Sequence, residues 1–409
     1  MNICLITEEW PGENDYGGIG FHFLNEAKYF ASLRHKIVII FNGSTSPLNK
    51  SGYTIIGAGG YVKDLPIINT VLYNTFTKFV IKKFKQKYPE LTNVTVWNIL
   101  AVITFISLFN KHKFDIVETH DYHSSFLLLI TGWFSHLVVT IQGWKKITLE
   151  LNHDYIDFER KLLIANEMLF IRSVRNCYAS SYVIKRLANL YFQKKISTVI
   201  SNAIDTDFFT PKETNKNFIL FVGRYERRKG IVQLIQAYQD LCKTLSIEKT
   251  PELYLVGGES HIFRIHNQEC NFLELLNLTV TKDIIKKIRL IPYTSQEALK
   301  AYYGDCLFCV LPSIFEPFGN AVGEALSCGK VVITTKKTGA AESLHNKKNI
   351  IFVTLNKVAI KNAMVYILRN IDVRQLIEKN ARRVAVTQFS IPIIGKKVIT
   401  YYHEIMSHN

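Results

Sequence analysis

The chain alternates short, unbroken apolar runs with longer stretches in which apolar residues recur every three to four positions. Runs such as Asn2–Thr7, Lys36–Phe41, Leu137–Ile141, Asn217–Val222, Leu253–Gly258, Ile288–Pro292, Cys306–Leu311 and Val331–Thr334 read as strands buried on both faces, as parallel sheets require. Between them lie helical patterns: Phe23, Ala27, Phe30, Ala31 and Leu33 after the first strand, then Tyr155–Arg172, Ile231–Leu245, Ser295–Tyr303, Ala321–Cys328, Arg374–Thr387 and Lys396–Ser407. Strand–helix alternation of this kind predicts an α/β fold with doubly wound sheets. At 409 residues the chain is too long for one ordinary core. We expect two domains, residues 1–200 and 201–390, with the polar stretch Thr210–Asn217 as a linker and a last helix, about 391–409, packing back on the first domain.

Three strand-end loops carry candidate chemistry. The first strand is followed by Tyr16-Gly-Gly-Ile-Gly20 at the start of a helix, where backbone amides can approach an anion. The spacing does not match G-x-G-x-x-G, so the dinucleotide fingerprint is missing. The loop Gly223–Gly230 holds Arg224, Arg227, Arg228 and Lys229 beside a helix N-terminus, where cation and helix dipole both favour an anion. The third loop, Leu311–Gly329, places Glu316 before a helix and Glu324 inside it. E-x7-E is a weak signal by itself, equally suited to two unrelated surface carboxylates.

The strand Phe114–His123 presents His120, Asp121 and His123 at its end, where they either reach a bound substrate or serve the local structure. No further ligand completes a metal set with them. Seven dispersed cysteines fit a reducing compartment, and Cys306-x-x-Cys309 lies in an apolar strand, where buried thiols are expected instead of a zinc or redox pair.

Composition narrows the class. Hydrophobic residues make up 48% of the chain and aromatic residues 12%, which excludes a disordered protein. The formal net charge of +16 predicts attraction to polyanions, whether nucleic acid, anionic lipid or a diphosphate. The stretch 70–88 sets Leu72, Phe76, Phe79, Val80 and Phe84 on one helical face, with Lys78, Lys82, Lys83, Lys85 and Lys87 around the rest. It reads either as a membrane-surface element or as a domain helix with a solvated lysine face. Trp97–Phe109 is apolar but short and carries Asn98, Thr104 and Ser107, so a core helix is expected, not a membrane span. The start, Met1–Thr7, has no basic leader, and a cytoplasmic location is expected, with attachment to the inner face of the membrane through 70–88 as an extension of it. No helix-turn-helix, zinc or aromatic-basic motif points to nucleic acid.

Four stretches together resemble the GT-B retaining glycosyltransferases of family 4: Tyr16–Gly20, Ser201-Asn-Ala-Ile-Asp205, Gly223-Arg224 with Lys229-Gly230, and Glu316–Gly329. The resemblance runs over essentially the whole chain, and its most specific part is Glu316-Pro-Phe-Gly-Asn-x-x-Gly-Glu-Ala-Leu-x-x-Gly329. It implies two Rossmann-like domains facing across a cleft, with a nucleoside-diphosphate sugar bound mainly by the second. Arg224 and Lys229 match the residues that hold the donor diphosphate. Glu316 matches the carboxylate on the transferred sugar, and Glu324 the one on the ribose hydroxyls. Backbone at Phe318, Gly319 and Asn320 is implied to lie against the sugar and leaving group. Gly17 and Gly18 match the first-domain loop that meets the phosphates, and His120 a histidine near the anomeric centre. The family's same-face step needs no cofactor or metal, the cations doing that work.

The implied acceptor is a glycan or a lipid-linked molecule, as in surface polysaccharide synthesis. Gln142-Gly143 stands where the family often has His-Gly, which bears on the acceptor side. Two other classes remain open at the level of sequence: a sugar-nucleotide epimerase of the same fold, and a non-catalytic basic protein that binds a polyanion or a membrane.

Overall fold

The computed structural model describes residues 1–13, 17–63, 82–121, 135–213, 216–259, 261–265 and 268–407. They fall into two compact units. The first comprises Met1–Ile147, Tyr155–Ala203 and Ile394–Asn409; the second comprises Thr148–Asp154 and Ile204–Ile393.

In the first unit, β1 (Asn2–Thr7), β2 (Lys36–Phe41), β3 (Leu48–Lys50), β4 (Tyr53–Gly57), β5 (Ile116–His120), β6 (Leu137–Ile141), β7 (Asn176–Ala179) and β8 (Thr198–Val199) form one sheet. Its order is β3-β4-β2-β1-β5-β6-β7-β8. Every pairing is parallel except the β3–β4 hairpin. Ile3, Cys4, Leu5, Ile39, Ile40 and Phe41 are fully buried in succession, so both faces of these strands are covered, which is why they read as unbroken apolar runs. The chain moves from β1 to one side of the sheet and returns at β5 to build the other. The β1/β5 junction is therefore the topological switch point, the place where open α/β sheets bind ligands at the strands' carboxyl ends. Helix α1 (Gly18–Ser32) starts at that end, straight after the first glycine loop.

Helix α2 (Pro89–His112) is longer than the expected Trp97–Phe109. Proline, whose missing N–H costs nothing at a first helical position, starts it, and Lys113 in the left-handed conformation ends it. With 24 residues and a mean hydropathy of 1.7 it is long and apolar enough to cross a membrane by length and composition alone. One side is nevertheless core, with Trp97, Ala101, Phe105 and Leu108 buried, while Ile99 and Ile106 are exposed. Of the stretch 70–88, residues 70–81 lie outside the described set. Lys82–Lys87 is a helix with no buried residue, so Phe84 is exposed instead of forming a packed face. The helix stops before Tyr88, because the residue preceding a proline is disfavoured in the α region.

The second unit holds β9 (Phe218–Val222), β10 (Glu252–Val256), β11 (Phe263–Ile265), β12 (Gln268–Cys270), β13 (Ile288–Ile291), β14 (Phe308–Leu311), β15 (Val332–Thr334) and β16 (Ile351–Phe352). Strands β11 and β12 pair as a separate hairpin; the others form an all-parallel sheet of order β13-β10-β9-β14-β15-β16. Here the switch point lies between β9 and β14. Helices α3 (Ile231–Leu245), α4 (Gln296–Asp305) and α5 (Asn320–Ser327) follow β9, precede β14 and follow β14 respectively. Helix α6 (Ile371–Val384) starts three residues before the expected Arg374 and runs into a π-helical turn, Ala385–Phe389. The last helix, α7 (Ile391–Ser407), contributes Ile394 onward to the first unit. Across the two units, all seven cysteines are free and buried, and the sulfurs of Cys306 and Cys309 are 3.7 Å apart.

Candidate active site

Both loops singled out in the second half leave from the β9/β14 switch point. The first begins at Gly223 after β9, makes a single 3-10 turn over Arg227–Lys229, and enters α3 through Gly230. Gly230 has φ +71°, and a Cβ there would come within 2.1 Å of the Pro312 carbonyl oxygen. Any side chain would push the two loops apart, so only glycine allows this close approach.

That approach brings the cations of one loop onto the carboxylate of the other. Arg228 is buried, and its guanidinium donates to Glu316 Oε1 at 2.7 Å, to the Phe315 carbonyl at 3.1 Å and to Glu226 Oε1 at 2.6 Å. Lys229 pairs with the same Glu316 carboxylate. The Glu316 backbone is fixed by Thr338 and its neighbours: its N–H donates to the Lys337 carbonyl at 3.0 Å, and its own carbonyl accepts from Gly339 at 3.0 Å. Burial would raise the Glu316 carboxyl, but Lys229 and Arg228 beside it hold it below the usual carboxylate range. Burial likewise works against Glu226, which Arg228, Arg224 and Lys229 bring down to about 2. For Lys229, burial prevails over the attraction of Glu316 and lowers its ammonium pKa. The result is a charge-balanced cluster of two cations and two carboxylates, mostly buried and multiply hydrogen-bonded, with Lys229 on its exposed side.

Arg224 sits differently. Its side chain is 60% exposed and meets the buried cluster only at its edge, 3.7 Å from Glu226. Glu324 lies on the first turns of α5, buried, and accepts from the Tyr303 hydroxyl at 2.9 Å. Burial pushes its carboxyl up to about 7, against that hydrogen bond. Gly319, at φ +92°, caps α5, and the Phe318 carbonyl accepts from Ala340 at 2.7 Å. The Phe318 ring is core, packed against Phe389 at 5.6 Å, so only its backbone faces the loop. Asn320 opens the helix.

In the first unit, the residues sequence reasoning singled out stand at the carboxyl ends of the adjacent strands β1 and β5. His120 ends β5, buried; its Nε2 accepts from the Glu8 N–H at 3.4 Å, and its ring centre lies 5.9 Å from that of Phe23. Gly17 and Gly18 form the N-terminus of α1, and the Glu9 carboxylate lies against them: a Cβ on Gly17 would fall 1.9 Å from Glu9 Oε2. An anion at this helix end is therefore already supplied by the chain, as the dipole favours. Asp121 serves the local structure. Its two oxygens accept the N–H groups of Gln142 and Gly143 at 3.0 and 3.1 Å, fixing the loop after β6. Tyr16 and His123 lie outside the described residues.

Two partners of the buried cluster were not assigned roles from sequence. Arg228 was counted only as one of four loop cations, since nothing in the sequence says which of them a 3-10 turn directs inward. Asn152 lies 76 residues before Arg228, yet its Nδ2 donates to Glu226 at 3.0 Å and its Oδ1 accepts the Arg228 N–H at 3.0 Å. No local pattern signals a contact across that separation.

Comparison with known proteins agrees with this construction. Residues 16–208 match the Glycosyltransferase Family 4 domain family, and residues 203–384 match the family Glycosyl transferases group 1. An uncharacterized Bacillus subtilis glycosyltransferase, YqgM, is 25% identical over 364 residues, covering 86% of this chain and 83% of its own. The capsular polysaccharide biosynthesis glycosyltransferase CapM of Staphylococcus aureus is 23% identical over 354 residues, 80% of this chain and 89% of its own. Among solved structures, HepE of Anabaena in complex with UDP superposes with a TM-score of 0.64 at 15% identity, over 99% of this chain and 100% of the other.

Proposed function

The chain belongs to the GT-B glycosyltransferases of family 4, and from that premise we propose that it moves a sugar, with retention of anomeric configuration, from a nucleoside-diphosphate sugar to a glycan or lipid-linked acceptor. The observation that carries this reading is the Lys229–Glu316–Arg228 cluster at the β9/β14 switch point. A departing nucleoside diphosphate gains negative charge, and fixed cations in a site shielded from water stabilise it best. Lys229 turns from Glu316 to the diphosphate, joined by the exposed Arg224. Arg228 stays on Glu316, so the carboxylate keeps a cation while it accepts hydroxyls of the sugar. Glu316 thus positions the sugar and forms no covalent bond to it. The amides around Phe318, Gly319 and Asn320 lie along the sugar and leaving group, at the N-terminus of α5. His120 acts near the anomeric carbon, and Gly17 and Gly18 meet the donor phosphates once Glu9 moves aside. No metal takes part at the diphosphate, because these cations supply the charge.

Glu324 is assigned to the ribose hydroxyls. With its carboxyl near 7 it is largely protonated at pH 6 and ionised at pH 8, and only the ionised form accepts from both hydroxyls. Nucleotide affinity is therefore expected to rise about tenfold between pH 6 and 8. Calorimetric titration across that range checks it, and Glu324→Gln is expected to flatten the profile.

CapM is a capsular polysaccharide enzyme by name, and HepE was solved with UDP; both fit a sugar-nucleotide donor and a surface-glycan product for this chain. A thermal-shift screen with UDP-, GDP- and ADP-sugars tests the donor assignment, with a clear stabilisation by one nucleotide class expected. Absence of any shift with all three would argue against it.

We place the reaction in the cytoplasm, on the inner face of the membrane, through the basic stretch 70–88. Its described part, Lys82–Lys87, presents four lysines and an exposed Phe84, the combination that holds a helix at an anionic surface. Flotation with anionic liposomes is expected to carry the protein upward, and replacing those four lysines by glutamate to abolish it. Binding that survives the replacement would remove this assignment.

A further inference from the structure

We infer that the first unit contains a divalent-cation site, suited to Zn2+, built from His22, Glu26 and Glu118, with the Tyr178 hydroxyl beside it. His22 and Glu26 are four residues apart on α1 and so share one helix face. Glu118 comes from β5, two residues before His120 and on the same face of the strand. Each of these three side chains offers a ligand atom within 4.8 Å of the others. His22 Nε2 is 3.4 Å from Glu26 Oε1, and the Tyr178 hydroxyl is 3.2 Å from Glu26 Oε1, 3.4 Å from His22 Nε2 and 2.6 Å from Glu118 Oε1. Tyr402 of α7 donates to the other oxygen of Glu118.

The spacing and the charge count both point to an ion. A tetrahedral zinc with bonds of about 2.0–2.1 Å sets its ligand atoms about 3.3 Å apart. Three of the four separations sit at 3.2–3.4 Å, longer than good hydrogen bonds, whereas Tyr178 hydrogen-bonds Glu118 at 2.6 Å and supports that carboxylate. All five residues are buried, and among the described residues no lysine or arginine pairs with either carboxylate. Tyr178 has a single hydroxyl hydrogen, which the nearer Glu118 takes. Glu26 Oε2 is buried with no hydrogen-bond partner. A divalent ion neutralises both carboxylates at once, and one His nitrogen with two carboxylates is a donor set that zinc accepts. Such an ion ties α1, which carries Gly17 and Gly18, to the strand that ends in His120 and to α7.

The test is the metal content of the untagged, folded full chain after expression in zinc-supplemented medium and desalting. Roughly one zinc per chain is expected, with Tm lowered by several degrees when the chain is refolded with chelator instead of Zn2+. His22→Gln and Glu26→Gln are each expected to lower the content below about a tenth of an equivalent, and Tyr402→Phe to retain it. A folded parent chain without zinc and with the same Tm after either refolding would overturn the site, leaving a shared proton in its place. Zinc that persists in folded His22→Gln and Glu26→Gln chains would place the metal elsewhere and overturn it equally. The parent measurement decides even if a variant does not fold.

Discussion

Lys229→Ala is expected to lower kcat/KM by about a thousandfold, the size of effect seen when one fixed charge-stabilising donor is removed from a water-excluded site. Lys229 is the one loop cation that pairs with Glu316 yet remains partly exposed on its own side chain, 20% against 7% for Arg228. It can therefore exchange Glu316 for a diphosphate, where Arg228 cannot. Because the charge it meets grows as the leaving group departs, most of the loss should fall on kcat. Steady-state kinetics with the donor found by thermal shift measures this split. A rise in KM with unchanged kcat would mean that Lys229 only binds the ground state.

Arg228 carries the second large effect, on stability instead of chemistry. Its guanidinium bridges Glu226 and Glu316, both buried, and holds the Phe315 carbonyl. Arg228→Ala leaves Glu316 with Lys229 alone and Glu226 with only the exposed Arg224. Breaking a buried pair in this way costs about 3–5 kcal/mol, enough to lower the unfolding midpoint of the second unit markedly. Denaturant titration of Arg228→Ala beside Arg224→Ala is the check. Arg224 is mostly exposed, and its loss is expected to change stability by less than about 1 kcal/mol. Equal destabilisation by the two substitutions would contradict the assigned geometry. The comparison also separates donor binding from folding, since Arg224→Ala should weaken nucleotide affinity while leaving the fold intact.

Much of this arrangement was legible in the sequence because parallel strands buried on both faces write themselves as unbroken apolar runs. Phe218–Val222 and Phe308–Leu311 are of this kind, and the loops after them follow directly. Two α/β sheets with glycine and charged loops at strand ends could thus be read before any geometry. Pairing was harder. Which of Arg224, Arg227, Arg228 and Lys229 turns toward Glu316 depends on one 3-10 turn, whose phase no apolar pattern records. The β3–β4 and β11–β12 hairpins went unread because their strands are short, and Leu48, Asn49 and Lys50 are all exposed, so no alternation marks them. Helix α2 was underestimated at its start, where Glu90, Thr92 and Asn93 hide the helical period behind polar residues. Asn152 and the His22–Glu26–Glu118 group depend on contacts between residues many tens of positions apart. Those contacts exist only after the sheet has formed.

The central proposal is that the β9/β14 switch point binds a nucleoside-diphosphate sugar and stabilises loss of the diphosphate. Release of nucleoside diphosphate from a panel of sugar nucleotides, measured for the parent chain, Glu316→Ala and Lys229→Ala, tests it most directly. The expected result is turnover of one donor class by the parent, with the sugar appearing on an acceptor and each variant slower by about a hundredfold or more. Equal turnover by parent and both variants would contradict the claim. So would water as the co-substrate, with free sugar as the sole product.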